Sequence, residues 1–498
     1  MSARARLTAI AATFASWCVV SCSAESAESF GAAGVPWWGF LDEEVAEGQG
    51  LDDVAAGLAE RRAVVVRNGA ADWPALSKWK DVDYLESRVG GINTVRSEDP
   101  VNVYFSGDRA LARHDWNDEE NAKAFYRTIH KKDTTNMSIP ALVAAIERTP
   151  QTGLFHYGTA DFKGTCLRKQ NGASSLCEDD MPGYENLLWL DDPFVIKKAD
   201  DSKDSDLYKL HLWVGKEGTT TGLHYDVFHN MHVQITGHKR FLLVDADYWD
   251  KVYLFPYTHP HSRHSQLDVA EMNVKGAFPD LETKKIPFKF VDLGPGDMLY
   301  IPPNMLHRVL PVGKELSISV NGWHASTEAI FATYLRHLHV QSLESDQVPP
   351  LLKGVMIRAL LLHAIMHIDG VLEESAIDKL HLLFSQRFGS VPLLKALDCT
   401  KADWTARPCP GGEELLQGTP QYKEISHLYN LLNDAFSKAK QISKIRRTAL
   451  DLLLADYAEV LTHQTFGYPD TCHYLRCFAY YDMWSCPVEM APDPEFQS

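Results

Sequence analysis

Between residues 210 and 321 apolar and polar positions alternate repeatedly. Leu210-His-Leu212-Trp-Val214, Met231-His-Val233-Gln-Ile235 and Leu316-Ser-Ile318-Ser-Val320 each put an apolar residue at every second place. That is the period of a strand with one buried face. Lys239-Arg-Phe241-Leu-Leu-Val244 follows Met231–Ile235 after Thr236-Gly237-His238, and the pair predicts a β-hairpin. Gly294-Pro-Gly296-Asp297 predicts a turn leading into Met298–Ile301. Short strands spaced by Gly/Pro turns over about 200–324 predict a mainly β fold. Its form is an antiparallel double-sheet barrel of jelly-roll or cupin type, a double-stranded β-helix.

The flanks carry other periods. Leu51 to Glu60 predicts a helix, with Val54 and Leu58 on one side; Val64-Val65-Val66 predicts a buried strand ended by Asn68-Gly69. Val101 to Phe105 reads as a further strand, and Ser138-Ile-Pro140 opens a helix running to Arg148. Beyond Trp323 the spacing turns helical over 325–343, 351–368, 376–388 and 424–462. Leu360 to Ile368 is apolar nearly all round, which predicts burial inside a helical layer or at a subunit interface. A homodimer through this extension is therefore one expectation.

Composition narrows the class. The chain has 498 residues, 45% hydrophobic and 23% charged, so it is a globular protein with more than one core's worth of apolar side chains. A net charge of −17 argues against nucleic acid as partner, since binding it needs a basic surface. No apolar run is long enough to span a bilayer. Arg4 and Arg6, then Leu7 to Val20, then Ser21-Cys-Ser-Ala24 predict a secretory signal over residues 1–24, hence the ER lumen or secretion. Nine cysteines suit an oxidising compartment. Cys166/Cys177 and Cys399/Cys409 each bracket a short loop as local disulfides do; Cys472, Cys477 and Cys486 cluster near the end. Asn136-Met-Ser138 is a glycosylation sequon.

The candidate chemistry sits on the alternating stretch. His224 and Asp226 are two apart, so a strand points both the same way. With His307, expected to meet them across the barrel interior, they form a two-His-one-carboxylate set. Such a set holds Fe(II) by one face and leaves the other for a bidentate 2-oxoacid and dioxygen. The co-substrate's far carboxylate needs a cation and a hydroxyl, and Lys239 and Thr221 are placed to supply them. Asn230 and Asn321 are candidates to hydrogen-bond the co-substrate or orient the ligands; His229, His232 and His238 read as structural or surface residues.

Taken in order, Thr221-x-x-His224-x-Asp226, Asn230, Gly237-x-Lys239, Leu254-Phe-Pro256, Ser265-x-x-Asp268, Gly294-Pro-Gly-Asp297-x-x-Tyr-Ile-Pro302, His307 and Asn321-x-Trp323 resemble the JmjC/cupin-8 family. Within it the pattern is most similar to the factor-inhibiting-HIF type of asparaginyl hydroxylase. Arg67-Asn-Gly69 with Asp72-Trp73-Pro74 extends the likeness upstream, so that it covers about 36–324. The resemblance implies Fe(II) on His224, Asp226 and His307, and 2-oxoglutarate on Lys239 and Thr221 with Asn230 and Asn321 in support. It also implies an upstream tyrosine on the co-substrate, for which Tyr157 and Tyr184 are candidates. The implied reaction consumes dioxygen and 2-oxoglutarate, gives succinate, and inserts oxygen into a C–H bond of a protein or peptide substrate.

The domain reading is then a leader at 1–24, a JmjC/cupin-8 catalytic domain at 36–324, a helical extension at 325–465 and a cysteine-containing tail at 466–498. Two departures stand out. Pro303-Asn-Met305-Leu306 precedes His307 where the family usually has aromatics, and the helical extension is long. A non-catalytic lumenal scaffold of the same fold and a cupin enzyme using another metal are the competing readings. Lys239 and Thr221 weigh against the last, having no evident use without a dicarboxylate.

Overall fold

The computed structural model describes residues 42–48, 50–97, 134–161, 164, 166, 174–184, 208–257, 262–265, 286–336, 338, 340–388, 416–443 and 447–466. The expected leader, the Val101–Phe105 strand, Asp268, Cys399/Cys409 and the tail from 467 lie outside them. In chain order come β1 (Asp42–Glu44), β2 (Ala46–Gly48), α1 (Leu51–Glu60), β3 (Val64–Val66), α2 (Val82–Val89), β4 (Ile92–Ser97), β5 (Thr134–Met137), α3 (Ile139–Glu147), β6 (Phe155–Asp161) and β7 (Tyr208–Gly215). They are followed by β8 (Thr221–Tyr225), β9 (His229–Thr236), β10 (His238–Val244), β11 (Phe288–Leu293), β12 (Met298–Ile301), β13 (Leu306–Val312) and β14 (Ser317–His324). The helical layer is α4 (Thr327–Arg336), α5 (Pro350–Asp369), α6 (Glu373–Phe388), α7 (Pro420–Ser443) and α8 (Arg447–Phe466). The long period over 424–462 is thus two helices.

Two sheets form. One has the order β1-β11-β10-β13-β8, the other β2-β3-β12-β9-β14-β7-β6-β4-β5. Pairing is antiparallel except where the short β1 and β2 join β11 and β3. The double-sheet architecture is the expected one, but the expected hairpin is not there. β9 pairs with β12 and β14, whereas β10 pairs with β11 and β13. The turn at Gly237 carries the chain from one sheet to the other. Gly237 has φ +64°, and a Cβ there would stand 2.7 Å from the Leu316 carbonyl oxygen, so the corner demands glycine. Alternation alone predicts two neighbouring strands; it does not say whether they share a sheet.

Three apolar cores explain the layering. Phe241, Leu243, Val65, Leu299 and Ile301 meet between the sheets. Leu212, Val214, Met231, Val233, Ile318 and Val320 pack the outer face of the larger sheet against Trp73, Trp79, Leu85 and Leu142 of the N-terminal helices and turns. Leu223, Tyr225, Leu242, Val244 and Leu306 pack the outer face of the smaller sheet against α4 to α8. β10 therefore reads Phe241-Leu-Leu-Val244 without polar breaks because both its faces are covered. The same holds for α5: Leu360, Leu361, Ala364 and Ile365 are buried within the helical layer.

Polar clamps fix the outer elements. Ser138 accepts a hydrogen bond from the Ala141 N–H and caps α3, with Pro140 in its first turn. Arg61, ending α1, forms a buried ion pair with Glu328 of α4 at 2.8 Å. The Arg67-Asn-Gly69 motif meets the 294–297 turn: Asp297 accepts from Arg67 Nη1, Asn68 N–H and Gly294 N–H. Cys166 and Cys177 are disulfide-bonded.

Candidate active site

β8 and β13 lie side by side, and their register sets His224 directly opposite His307. The two imidazoles do not reach across the barrel interior, as distance in sequence suggested; they are cross-strand neighbours with ring centroids 4.2 Å apart. Asp226 follows the end of β8, with one carboxylate oxygen 3.9 Å from His307 Nε2. One ligand atom from each of the three lies within 4.8 Å of the other two.

The backbone orients the imidazoles. His224 Nδ1 donates to the Gly222 carbonyl at 2.7 Å, and His307 Nδ1 donates to the Met305 carbonyl at 3.1 Å. Each ring is thereby held in the tautomer whose Nε2 carries a lone pair, the form a metal needs. Burial, with His307 adding to it, pushes the His224 imidazole down to about 3, and burial likewise lowers His307. Burial opposes charge on Asp226, yet the two imidazoles and Arg263 together hold its carboxyl below the usual value. All three side chains are thus ready to ligate at neutral pH. Asp226 Oδ2 is buried and has no hydrogen-bond partner among the described residues. Two neutral nitrogens, one anionic oxygen and a buried acceptor without a donor fit a divalent cation.

The triad opens on a cavity of about 270 Å³. Thr221, Asn230, Lys239 and Asn321 all line it, so the structure brings every sequence-derived site residue to one space. Lys239 is 1% exposed. Its ammonium donates to Ser319 Oγ at 2.6 Å and to Tyr157 Oη at 3.5 Å, and forms no ion pair among the described residues. Burial lowers its pKa to about 7. Tyr157 lines the cavity beside Lys239, whereas Tyr184 packs on the outer core, which separates the two tyrosine candidates. Asn321 accepts from the Trp213 indole and donates from Nδ2 to Asn230 Oδ1 at 3.0 Å.

Several lining residues were not read from sequence. Ser319 shares the inward face of β14 with Asn321, two residues on, and the Ser-x-Ser-x-Asn alternation was the available signal. His264 stacks on His224 at 5.1 Å with the rings 11° apart. Arg263 has one guanidinium nitrogen 3.7 Å from Asp226. His232 is buried, not on the surface, and also lines the cavity. His229 is buried against the Tyr300 hydroxyl at 2.9 Å, and His238 is exposed.

The triad strand is also held from behind. The Tyr225 side chain, between the two ligands, points to the helical layer and donates to Asp456 of α8 at 2.9 Å. Arg387 of α6 binds Asp456 and Glu459, and Glu459 accepts from the Tyr257 N–H.

Residues 55–329, more than half of the chain, match the family model of the cupin-like domain, Cupin_8. The chain belongs to the cupin-like family. Among its cupin-like relatives, lysine-specific demethylase JMJ30 of Arabidopsis thaliana is 29% identical over 259 residues, 51% of this chain and 48% of that protein. Jumonji C domain-containing protein 5 of Drosophila melanogaster is 25% identical over 255 residues, 51% of this chain and 52% of that protein. Lysine-specific demethylase JMJ31 of Arabidopsis thaliana is 22% identical over 300 residues, 55% and 49% of the two. The chain spans about half the length of these relatives.

Proposed function

We propose that this JmjC protein is an Fe(II)- and 2-oxoglutarate-dependent oxygenase acting on a C–H bond of a protein side chain. The observation that carries the reading is Lys239: a buried ammonium with no acidic partner among the described residues, in the same cavity as the triad. Burying an unpaired charge costs several kcal/mol, about what a functional site tolerates when a ligand brings the counter-charge. A dicarboxylate supplies that charge at one end and metal-binding oxygens at the other.

His224, Asp226 and His307 would hold the iron, which when bound supplies one-face coordination of a 2-oxoacid and activation of dioxygen. Every other role belongs to the chain. Lys239, with Ser319, Tyr157 and Thr221 near it, would anchor the distal carboxylate. Trp213 fixes the Asn321 amide, and Asn321 fixes Asn230, leaving the Asn230 amide N–H₂ as a donor toward the cavity. Trp323 and Phe241 wall the space against water. Side-chain hydroxylation, as in the asparaginyl hydroxylase type, and N-methyl removal, as the names of two relatives state, share this first C–H oxygenation.

The site of action we infer is the secretory pathway. The Arg4, Arg6 and Leu7–Val20 pattern, the Cys166–Cys177 disulfide and an exposed Asn136 in its sequon support it. Expression in secreting cells should yield a glycosylated chain lacking residues 1–24; a cytosolic, unprocessed chain would refute it. For the activity, purified protein with Fe(II) and 2-oxoglutarate should form succinate, and His224→Ala should not. Failure of the metal-loaded protein to bind 2-oxoglutarate would sink the oxygenase reading and favour a scaffold.

A further inference from the structure

A second cavity, also about 270 Å³, adjoins the first. Arg263 lines both. Its floor includes Val227, the residue directly after the ligand Asp226, and its walls come from the helical layer, Leu335 of α4 and Leu453 and Val460 of α8. The barrel by itself does not make this space; the helical extension does. Six of the lining residues are apolar, and polar groups come from Tyr257, Ser262, Arg263, Asp456 and Tyr457. Tyr457 is 3% exposed and its hydroxyl has no hydrogen-bond partner among the described residues. Asp456 accepts from Tyr225 and Arg387 and keeps lone pairs to spare.

A buried hydroxyl left without a partner is destabilising, and a ligand group that completes its hydrogen bond recovers the loss. The charge balance restricts that group. Two guanidiniums, Arg387 and Arg263, stand against the two carboxylates of Asp456 and Glu459, so these four groups leave no net negative charge to draw a cation. A lining of apolar and polar residues without net charge fits a side chain of matching build: an apolar body with a neutral hydrogen-bonding tip, as in tyrosine, glutamine or asparagine. Because Val227 follows Asp226 directly in the chain, such a side chain would belong to a residue near the one offered to the triad, consecutive residues being about 3.8 Å apart.

We propose that this cavity is a second substrate pocket, taking an apolar side chain with a neutral hydrogen-bonding tip from the same polypeptide that presents its C–H bond to His224, Asp226 and His307. The substrate role rests on the oxygenase reading; the pocket itself does not.

The probe for the pocket is p-cresol, titrated into the full chain without metal or 2-oxoglutarate and followed by ligand-observed NMR. Wild type should bind it, Val460→Trp should weaken binding at least tenfold by filling the space, and Tyr457→Phe should weaken it about fivefold. Toluene and 4-methylbenzylamine should bind more weakly than p-cresol, and 2-oxoglutarate should not displace it. Absence of p-cresol binding, displacement by 2-oxoglutarate, or affinity unchanged in Tyr457→Phe overturns the pocket, even if Val460→Trp fails to fold. The second arm treats a randomised peptide library with Fe(II), 2-oxoglutarate and the full chain and sequences the oxygenated peptides. Tyrosine, glutamine or asparagine should be enriched at one fixed offset from the modified residue, and Tyr457→Phe should reduce that enrichment. Oxygenated peptides with no such offset overturn the substrate role. Intact p-cresol binding without any 2-oxoglutarate binding overturns the oxygenase reading, and the substrate role with it, while the pocket stands.

Discussion

Replacing Lys239 by Met should make the metal-free protein more stable while destroying its hold on 2-oxoglutarate. The side chain is 1% exposed, and burial lowers its pKa from the usual 10.5 to about 7. Because the folded value lies below the unfolded one, folding is penalised wherever the unfolded chain carries the proton. The penalty is complete below about pH 7, fades as pH rises, and is gone above about 10.5. At about 1.4 kcal/mol per pKa unit, it is on the order of 4 kcal/mol at pH 7 and about 2 kcal/mol at pH 9. Met keeps the shape of the stem and loses the hydrogen bond to Ser319, which returns about 1 kcal/mol. The net gain is therefore on the order of 3 kcal/mol at pH 7 and about 1 kcal/mol at pH 9. Urea unfolding of the metal-free chain at the two pH values measures it, and calorimetric titration of 2-oxoglutarate into the Mn(II)-loaded chain measures the loss of binding. Equal or lower stability of Lys239→Met at pH 7, or the same change at both pH values, would refute the reasoning. So would 2-oxoglutarate affinity left intact.

Metal affinity should be nearly flat from pH 8 to pH 6, because burial keeps His224 and His307 neutral below their ordinary range. Two imidazoles at the ordinary value would lose about tenfold over that interval, so a Mn(II) titration showing such a loss contradicts the site electrostatics. Arg387→Met strands two buried carboxylates, Asp456 and Glu459, and should destabilise by about 3–5 kcal/mol in chemical unfolding. Adding Glu459→Gln should recover part of that loss, and no recovery would mean that the charge is not the cause. Gly237→Ala meets both a positive φ and the Leu316 carbonyl, and should lower stability by more than about 1 kcal/mol. A neutral result in thermal unfolding would mean that the corner relaxes freely.

Much of the site could be read from the chain because its logic is local. His224 and Asp226 share a face by strand period, and Lys239 stands out as a lysine at the head of an apolar strand. Ser319 and His264 were missed because a lone serine or histidine carries no signal until its neighbours are known. Tyr157 could not be told from Tyr184 for the same reason: only packing puts one beside Lys239 and the other on the outer core. The helical segments were legible by period, but their role was not. They cover the smaller sheet's outer face, and their charges reach Tyr225 on the back of the triad strand.

The sequence by itself determined the strand and helix periods, the shared face of His224 and Asp226, and the candidate ligand set. These follow from side-chain identity and near-neighbour spacing. Tertiary structure decided which strands share a sheet, that His307 lies opposite His224 in register, and that Lys239 is buried without an acidic partner among the described residues. It also decided that the helical layer builds a second cavity against Arg263. Pairing, burial and cavities arise from contacts between residues far apart in the chain, and local pattern carries no information about which distant segment a given face will meet.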